Sequence, residues 1–409
     1  MKCRHCRSKL NLTVLDLGSA PPSNAYLTEE TLHKPETWYP LRVSVCTECW
    51  LAQTADFTGR EELFTGEYAY FSSYSSTWLA HAQAYVADMV ERLSLDTSSL
   101  VVEIASNDGY LLQYVKDYGI PCFGVEPTAS TATAARLKGI KIIERFFGKD
   151  LSRELANEGH RADLITANNV LAHVPDINDF LSGFAILLKP NGVATFEFPH
   201  LLRMVAENQF DTIYHEHYSY FSFTTAKRIF SKNGLVVFDV QELPTHGGSL
   251  RVFTRRADTD KNGWISPSVA ELLLREEHIG MQTPVFYADI QSRADRAKND
   301  LMAFLLEAKK SGKKVAGYGA AAKGNTLLNF AGARPDLIEY VVDRNTAKRD
   351  KYMPGSRIPI VAEVRIREQR PDYVLILPWN IKEEVMAQLA YVREWGGKFV
   401  WAVPELVAY

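Results

Sequence analysis

Apolar residues along the chain follow two periods that alternate from about residue 98 to 200. L-V-V-E-I at 100–104 is a near-continuous β-branched run of the kind buried on both faces of a parallel sheet. It passes through A-S-N-D-G into a helical pattern at 110–118. The same reading predicts strands at 122–125, 140–143, 164–167 and 193–198, with a helix over 177–188. Such β-α alternation builds a doubly wound sheet whose ligands lie beyond the carboxyl ends of its strands. A helix is also predicted over 78–93, and two more strands at 235–241 and 249–254. From 284 to 312 the pattern predicts one long helix, with Ile290, Leu301, Phe304 and Leu305 on its apolar face. Strands at 314–318, 338–342, 373–377 and 398–403 then form a second, smaller α/β unit.

The first 65 residues are organised by cysteine. Cys3-x-x-Cys6 and Cys46-x-x-Cys49 are two knuckles of the kind that hold tetrahedral zinc, with room between them for a small β insertion at 41–45. A closed set of four thiolates is a structural site, and His5 inside the first knuckle is a neighbour to it. The expected division is therefore a zinc-binding domain at 1–66, a doubly wound α/β domain at 67–283 and a smaller Rossmann-like α/β domain at 284–409.

Bulk composition narrows the partners. A length of 409 residues calls for two or three domains. The formal charge of −3 supplies no basic field for nucleic acid. No apolar run is long enough to cross a membrane, and five cysteines without an export signal fit a reducing cytoplasm.

The turn after the first central strand lacks the G-x-G-x-x-G that a dinucleotide pyrophosphate requires. Ala105, Ser106, Asn107 and Asp108 instead suit a ligand bearing an amine, and Glu126, about 20 residues on, is placed to accept both ribose hydroxyls. S-adenosylmethionine (SAM) fits that description better than NAD. Asn168 and Asn169 stand at the end of the strand at 164–167, and His173 follows on the rim. The cluster at 67–78, rich in Tyr and Ser, reads either as a helix cap or as a lid.

No simple period organises residues 210–222, F-D-T-I-Y-H-E-H-Y-S-Y-F-S. Tyr214, Glu216 and His217 are groups that move or steer protons near neutral pH. The link at 243–249 contains His246 and a glycine pair, and Arg251 beyond it could meet a phosphate; a plain hairpin turn explains the link equally well. In the second α/β unit, Tyr318-Gly319-Ala320 leads into Lys323 and Asn325, a plausible anion site. Asp343 stands where a ribose-binding acid would, and Trp379 and Asn380 offer a ring and an amide.

The cysteine knuckles, E-I-A-S-N-D-G, N-N-V-L-A-H-V-P, Y-H-E-H, H-G-G-S and G-Y-G-A-A-A-K-G-N occur together and in order. Together they resemble the C-methyltransferases of deoxysugar biosynthesis that act on nucleotide-linked 4-keto sugars, over nearly the whole chain. The resemblance implies SAM held by Glu103, Asn107, Asp108 and Glu126 with Asn168 alongside. It implies His217 as the base beside the ketone, Glu216 and Tyr214 orienting it or holding the sugar, and His173 near the 4-keto group. Tyr68 or Tyr70 would close over the site, and the C-terminal turn would take the nucleotide diphosphate (TDP, or alternatively GDP). A single chain would enclose the site. Ala105 occupies a position that is glycine in many relatives, which is tolerable if its φ stays negative. The alternatives are an N- or O-methyltransferase and a zinc-ribbon adaptor with a vestigial nucleotide fold.

Overall fold

The structure, a computed structural model, describes residues 1–57, 59, 63, 70–260 and 263–409. Tyr68, one of the two candidate lid tyrosines, lies outside the described residues. Strands β1 (Leu12–Ala20), β2 (Tyr39–Val45) and β3 (Ala52–Thr54) follow or bracket the knuckles and pair antiparallel. The central strands are β4 (Val101–Ile104), β5 (Cys122–Val125), β6 (Lys141–Ile143), β7 (Ala162–Asn168) and β8 (Leu188–Pro199). Next come β9 (Ser219–Tyr220), β10 (Leu235–Leu243) and β11 (Ser249–Arg256).

The central sheet has the order β10-β11-β8-β7-β4-β5-β6. Strands β4 to β8 are parallel, and β11 runs antiparallel between β8 and β10. Strand β9 does not join this sheet. It pairs with β3 instead, Ala52 opposite Tyr220 and Gln53 opposite Ser219, so residues 210–222 are drawn toward the zinc unit. The C-terminal sheet runs β14-β13-β12-β15-β16-β17, with β12 (Val315–Tyr318), β13 (Val341–Val342), β14 (Ile360–Val361), β15 (Tyr373–Ile376), β16 (Lys398–Trp401) and β17 (Val407–Ala408). All of these pairs are parallel except β16–β17.

The long helix expected at 284–312 is shorter than its pattern. One helix, Pro267–Ile279, ends on Gly280 at φ 79°, a left-handed stop that glycine reaches without a Cβ clash. A 3₁₀ turn at Pro284–Tyr287 separates it from the helix Ile290–Lys310.

The hydrophobic cores cross the expected domain limits. Cys3, Cys46, Cys49 and Leu51 pack with Phe221, Phe223 and the central sheet. Leu15, Val43 and Val45 share a second core with Leu301, Leu328, Val341 and Leu375 of the C-terminal part. The N-terminal segment is thus wedged between the other two. Among the described residues, no helix is long and apolar enough to cross a membrane.

Candidate active site

The four knuckle sulfurs lie within 4.8 Å of one another, with Cys3–Cys49 and Cys6–Cys46 each at 3.5 Å. Sulfurs bound to one zinc at about 2.3 Å stand roughly 3.8 Å apart, so the donor set fits a closed structural site. Each knuckle turns on a left-handed residue just after its second cysteine, Arg7 at φ 65° and Trp50 at φ 61°. His5 is not among the clustered donors, and its Nδ1 meets Asn178 Oδ1 at 2.8 Å.

At the carboxyl ends of β4 and β7 buried polar atoms lack partners. Among the described residues Ser106 Oγ, Asp108 Oδ1 and the side-chain amide of Asn169 make no hydrogen bond, and the Glu103 carboxyl is buried with Tyr110 and the Leu112 backbone as its polar neighbours. Burial pushes the Glu103 carboxyl well above its ordinary range. A ligand with an ammonium and hydroxyls would satisfy these groups, so the residues fit SAM. Asn168 stands beside them, its Oδ1 accepting from Thr166 Oγ1 at 3.3 Å.

The turn and the acid that faces it depart from expectation at four residues. Asn107 uses its side chain on the segment before the helix Ser76–Leu93, accepting from Ser72 N at 2.9 Å and donating to Tyr70 O at 3.0 Å. Asp108 Oδ2 accepts from Ser73 N at 3.3 Å. Glu126 Oε2 accepts from Asn107 N at 2.9 Å and Oε1 from Thr128 N at 3.0 Å, so the acid braces the turn. Ala105 sits at φ 57°, against the expected negative value. Ser75 caps the helix by accepting from Trp78 N at 3.2 Å, which bears out the cap reading of the Tyr/Ser cluster. The Tyr70 side chain is exposed, while its carbonyl is pinned by Asn107.

Residues 210–222 meet all three parts of the chain. Tyr218 N donates to Ala172 O at 2.7 Å. Thr326 Oγ1 donates to Ile213 O at 2.8 Å, and Trp379 Nε1 to Asp211 Oδ2 at 2.7 Å. Asn24 Nδ2 donates to Glu216 Oε2 at 2.7 Å. No sequence signal singles out Asn24, an isolated loop residue whose partner is 192 positions away.

The His217 tautomer follows from its neighbours. Its Nδ1 lies 2.9 Å from the Thr212 carbonyl, which only accepts, so Nδ1 carries the proton. Nε2 therefore accepts from the Tyr214 hydroxyl at 2.7 Å. Burial drives the His217 imidazole well below its ordinary pKa, with the charges of His173 and Lys323 adding to the effect. The His173 ring stands 4.6 Å from that of His217, and burial pushes it down to about 4. The site thus holds neutral imidazoles, one of them joined to a phenol.

On the far side of the crevice the predicted residues separate into two groups. Lys323 Nζ lies 3.4 Å from Asn380 Oδ1, 3.5 Å from His246 O and 4.5 Å from the centre of the Trp379 ring, so Lys323, His246 and Asn380 come together. Arg251 does not join them. Its Nη2 pairs with the fully buried Glu197 at 3.1 Å, beside His81 at 3.0 Å from the same carboxylate, so its charge is already compensated. The link is the turn of the β10–β11 hairpin, and it is also a close approach: a Cβ on Gly247 would lie 2.6 Å from Trp379.

The C-terminal turn is likewise used internally. Ala320 N donates to Asp343 Oδ2 at 2.7 Å, and Ala320 O accepts from Tyr26 Oη at 2.6 Å and Lys348 Nζ at 2.7 Å. Asn325 Nδ2 donates to Ser23 O at 2.7 Å, and Tyr318 is buried in a core. Tyr318, Ala320, Asn325 and Asp343 are therefore joints of the fold at positions where an anion site was expected.

Comparison with known proteins agrees with the three-part reading. Family models match a zinc binding domain at 3–64, a methyltransferase domain at 78–240 and a C-methyltransferase C-terminal domain at 244–404. The chain is 35% identical over 404 residues to the C-methyltransferase NovU of Streptomyces niveus, covering 99% of this chain and 96% of that one. A ubiquinone biosynthesis O-methyltransferase of Rhodopseudomonas palustris (strain TIE-1) is 29% identical over 93 residues, 23% of this chain and 37% of its own. Among solved structures, magnesium protoporphyrin IX methyltransferase from Synechocystis PCC 6803 with bound SAM is 16% identical, covering 44% of this chain and 79% of that one at a TM-score of 0.34. With full-length likeness to a C-methyltransferase, three matching family models, four clustered cysteines and an unpartnered polar cradle at the sheet's carboxyl edge, the chain belongs to the SAM-dependent C-methyltransferases that carry a structural zinc domain.

Proposed function

We propose that the chain methylates C3 of a nucleotide-linked 4-keto-deoxysugar. The observation that carries this reading is the Tyr214–His217 pair with its fixed tautomer. A carbon beside a ketone becomes nucleophilic only after losing a proton, so C-methylation there requires a base, whereas the oxygen or nitrogen of an alcohol or amine acceptor already carries a lone pair. In the proposed step the C3–H bond breaks, the Tyr214 oxygen takes the proton, and the Tyr214 proton passes to His217 Nε2. The electron pair moves toward the ketone oxygen as an enolate, with the His173 ring beside it. SAM, when bound, supplies an electrophilic methyl group on a sulfonium.

In the same reading, Glu103, Ser106, Asp108, Asn168 and Asn169 hold the donor, and the second lone pair of Glu126 Oε2 takes a ribose hydroxyl. Tyr70 closes over the site. Lys323, His246 and Asn380 face the diphosphate, which we take to be part of a TDP-sugar. We further propose that the protein works as a cytoplasmic monomer.

The test uses SAM and a panel of TDP- and GDP-linked 4-keto-deoxysugars deuterated at C3, read by mass spectrometry. The reading expects gain of one methyl with loss of the deuterium, and no turnover by His217→Ala despite normal SAM binding. Methyl gain with the deuterium retained would move the reaction to another atom.

A further inference from the structure

We infer that the zinc unit does more than fold itself: it is the scaffold that sets the position of His217, and Arg4 and Thr54 are its positioning residues. The inference rests on the proposed role of His217 as base. Residues 213–218 have no helix or strand of their own, so their backbone groups need partners from elsewhere. The two zinc knuckles each supply one.

From the second knuckle, β3 begins three residues after Cys49 and ends on Thr54. Thr54 Oγ1 donates to His217 O at 2.9 Å, and Thr54 N donates to Tyr218 O at 3.1 Å. From the first knuckle, Arg4 stands between Cys3 and Cys6. Its Nε donates to Tyr218 O at 3.2 Å and its Nη2 to Thr54 O at 2.5 Å, with its guanidinium 4.9 Å from the centre of the Tyr218 ring. Gln53 ties the two knuckles together: its Oε1 accepts from Arg4 N at 2.9 Å while its Nε2 lies 3.4 Å from Cys3 Sγ.

The His217 carbonyl is thus fixed by a residue whose own place is set by the four-sulfur cluster. The imidazole is fixed in turn through Nδ1 on Thr212 O. His217 acts through Tyr214, whose hydroxyl it holds at 2.7 Å and whose oxygen must meet the C–H bond at contact distance, and such a pair loses rate steeply when it shifts by an ångström, so this chain of contacts bears on turnover and not only on folding.

The test compares Thr54→Val, which keeps the shape and removes the hydroxyl, with Thr54→Ser in the full-length, zinc-loaded protein. Zinc content, SAM affinity, hydrogen exchange of the peptide spanning 210–222, kcat and KM are read for each. For Thr54→Val the expectation is unchanged zinc and SAM affinity, faster exchange in that peptide, and kcat lower by about tenfold with KM within about twofold. Thr54→Ser should restore slow exchange and most of the rate. Unchanged exchange in Thr54→Val, an unchanged kcat, or a Thr54→Ser protein as impaired as Thr54→Val would each overturn the inference. Should His217→Ala retain full turnover, the base assignment fails instead. The exchange data then decide the scaffold, faster exchange upholding it and unchanged exchange ending it.

Discussion

The two strand–turn–helix units of the chain are built alike and used differently. In each, a buried strand enters a turn with left-handed backbone, Ala105 and Asn107 in one and Gly319 in the other. In each, an acid at the end of the neighbouring strand accepts an amide of that turn: Glu126 from Asn107 at 2.9 Å, and Asp343 from Ala320 at 2.7 Å. Beyond that they part. Around the first turn, Ser106 Oγ, Asp108 Oδ1 and the side-chain amide of Asn169 are buried without partners. Around the second, Tyr26, Lys348 and Ser23 take up its polar groups, leaving Asn325 Oδ1 over. Topology places a ligand crevice at both strand ends, and the polar groups of the second turn are mostly spent within the fold while several around the first are not.

Glu103→Gln should break the comparison most sharply. In the proposed donor site Glu103 faces the SAM ammonium, and removing that charge costs about 1.5–3 kcal/mol, or roughly 10- to 100-fold in SAM affinity by titration calorimetry. The unliganded variant should gain stability with rising pH. The Glu103 carboxyl is pushed up in the folded state, so its contribution is fullest at acid pH, below its unfolded value, and is lost as pH rises through the raised one. Glutamine does not ionise, so the variant's melting advantage should widen from pH 5 to 8. Equal SAM affinity in both proteins would remove Glu103 from the donor site.

Asp343→Asn should do the reverse. Ala320 N and Asn345 N both donate to this carboxylate at 2.7 Å, and losing it costs about 1.5–3 kcal/mol of stability with SAM affinity unchanged. A normal melting temperature with a tenfold higher KM for the nucleotide sugar would instead make the second turn a ligand site. Tyr26→Phe, which removes one neutral hydrogen bond to Ala320 O, should cost about 1 kcal/mol and likewise spare SAM.

Much of this was legible in the residues and some was not. The knuckle spacing named its metal, and the β-branched runs placed most of the central strands, because both are local signals. Residues 210–222 stood out for having no period, and the structure places them where all three parts meet. What failed was partner choice. Arg251 looked available for a phosphate, but its counter-charge Glu197 is 54 positions away on the adjacent strand. Asp343 looked like a ribose ligand because strand-end position is local, whereas the amide it serves belongs to another strand's turn. The pairing of β9 with β3 joins residues more than 160 positions apart, beyond the reach of any period.

The smallest expected effect tests the first turn at its own backbone. Ala105 holds φ 57°, where a Cβ costs roughly 1–2 kcal/mol. Glycine removes that cost but gives the unfolded chain more freedom, worth about 0.5–1 kcal/mol in the other direction. Ala105→Gly should therefore raise stability by about 0 to 1.5 kcal/mol, read by denaturant melts. The equivalent exchange in the second turn has the opposite sign: Gly319 is at φ 86°, and an added Cβ would lie 2.6 Å from Pro378 Cδ. If Ala105→Gly lost stability while SAM affinity held, the left-handed alanine would be a conformation the turn prefers and not a strain it carries.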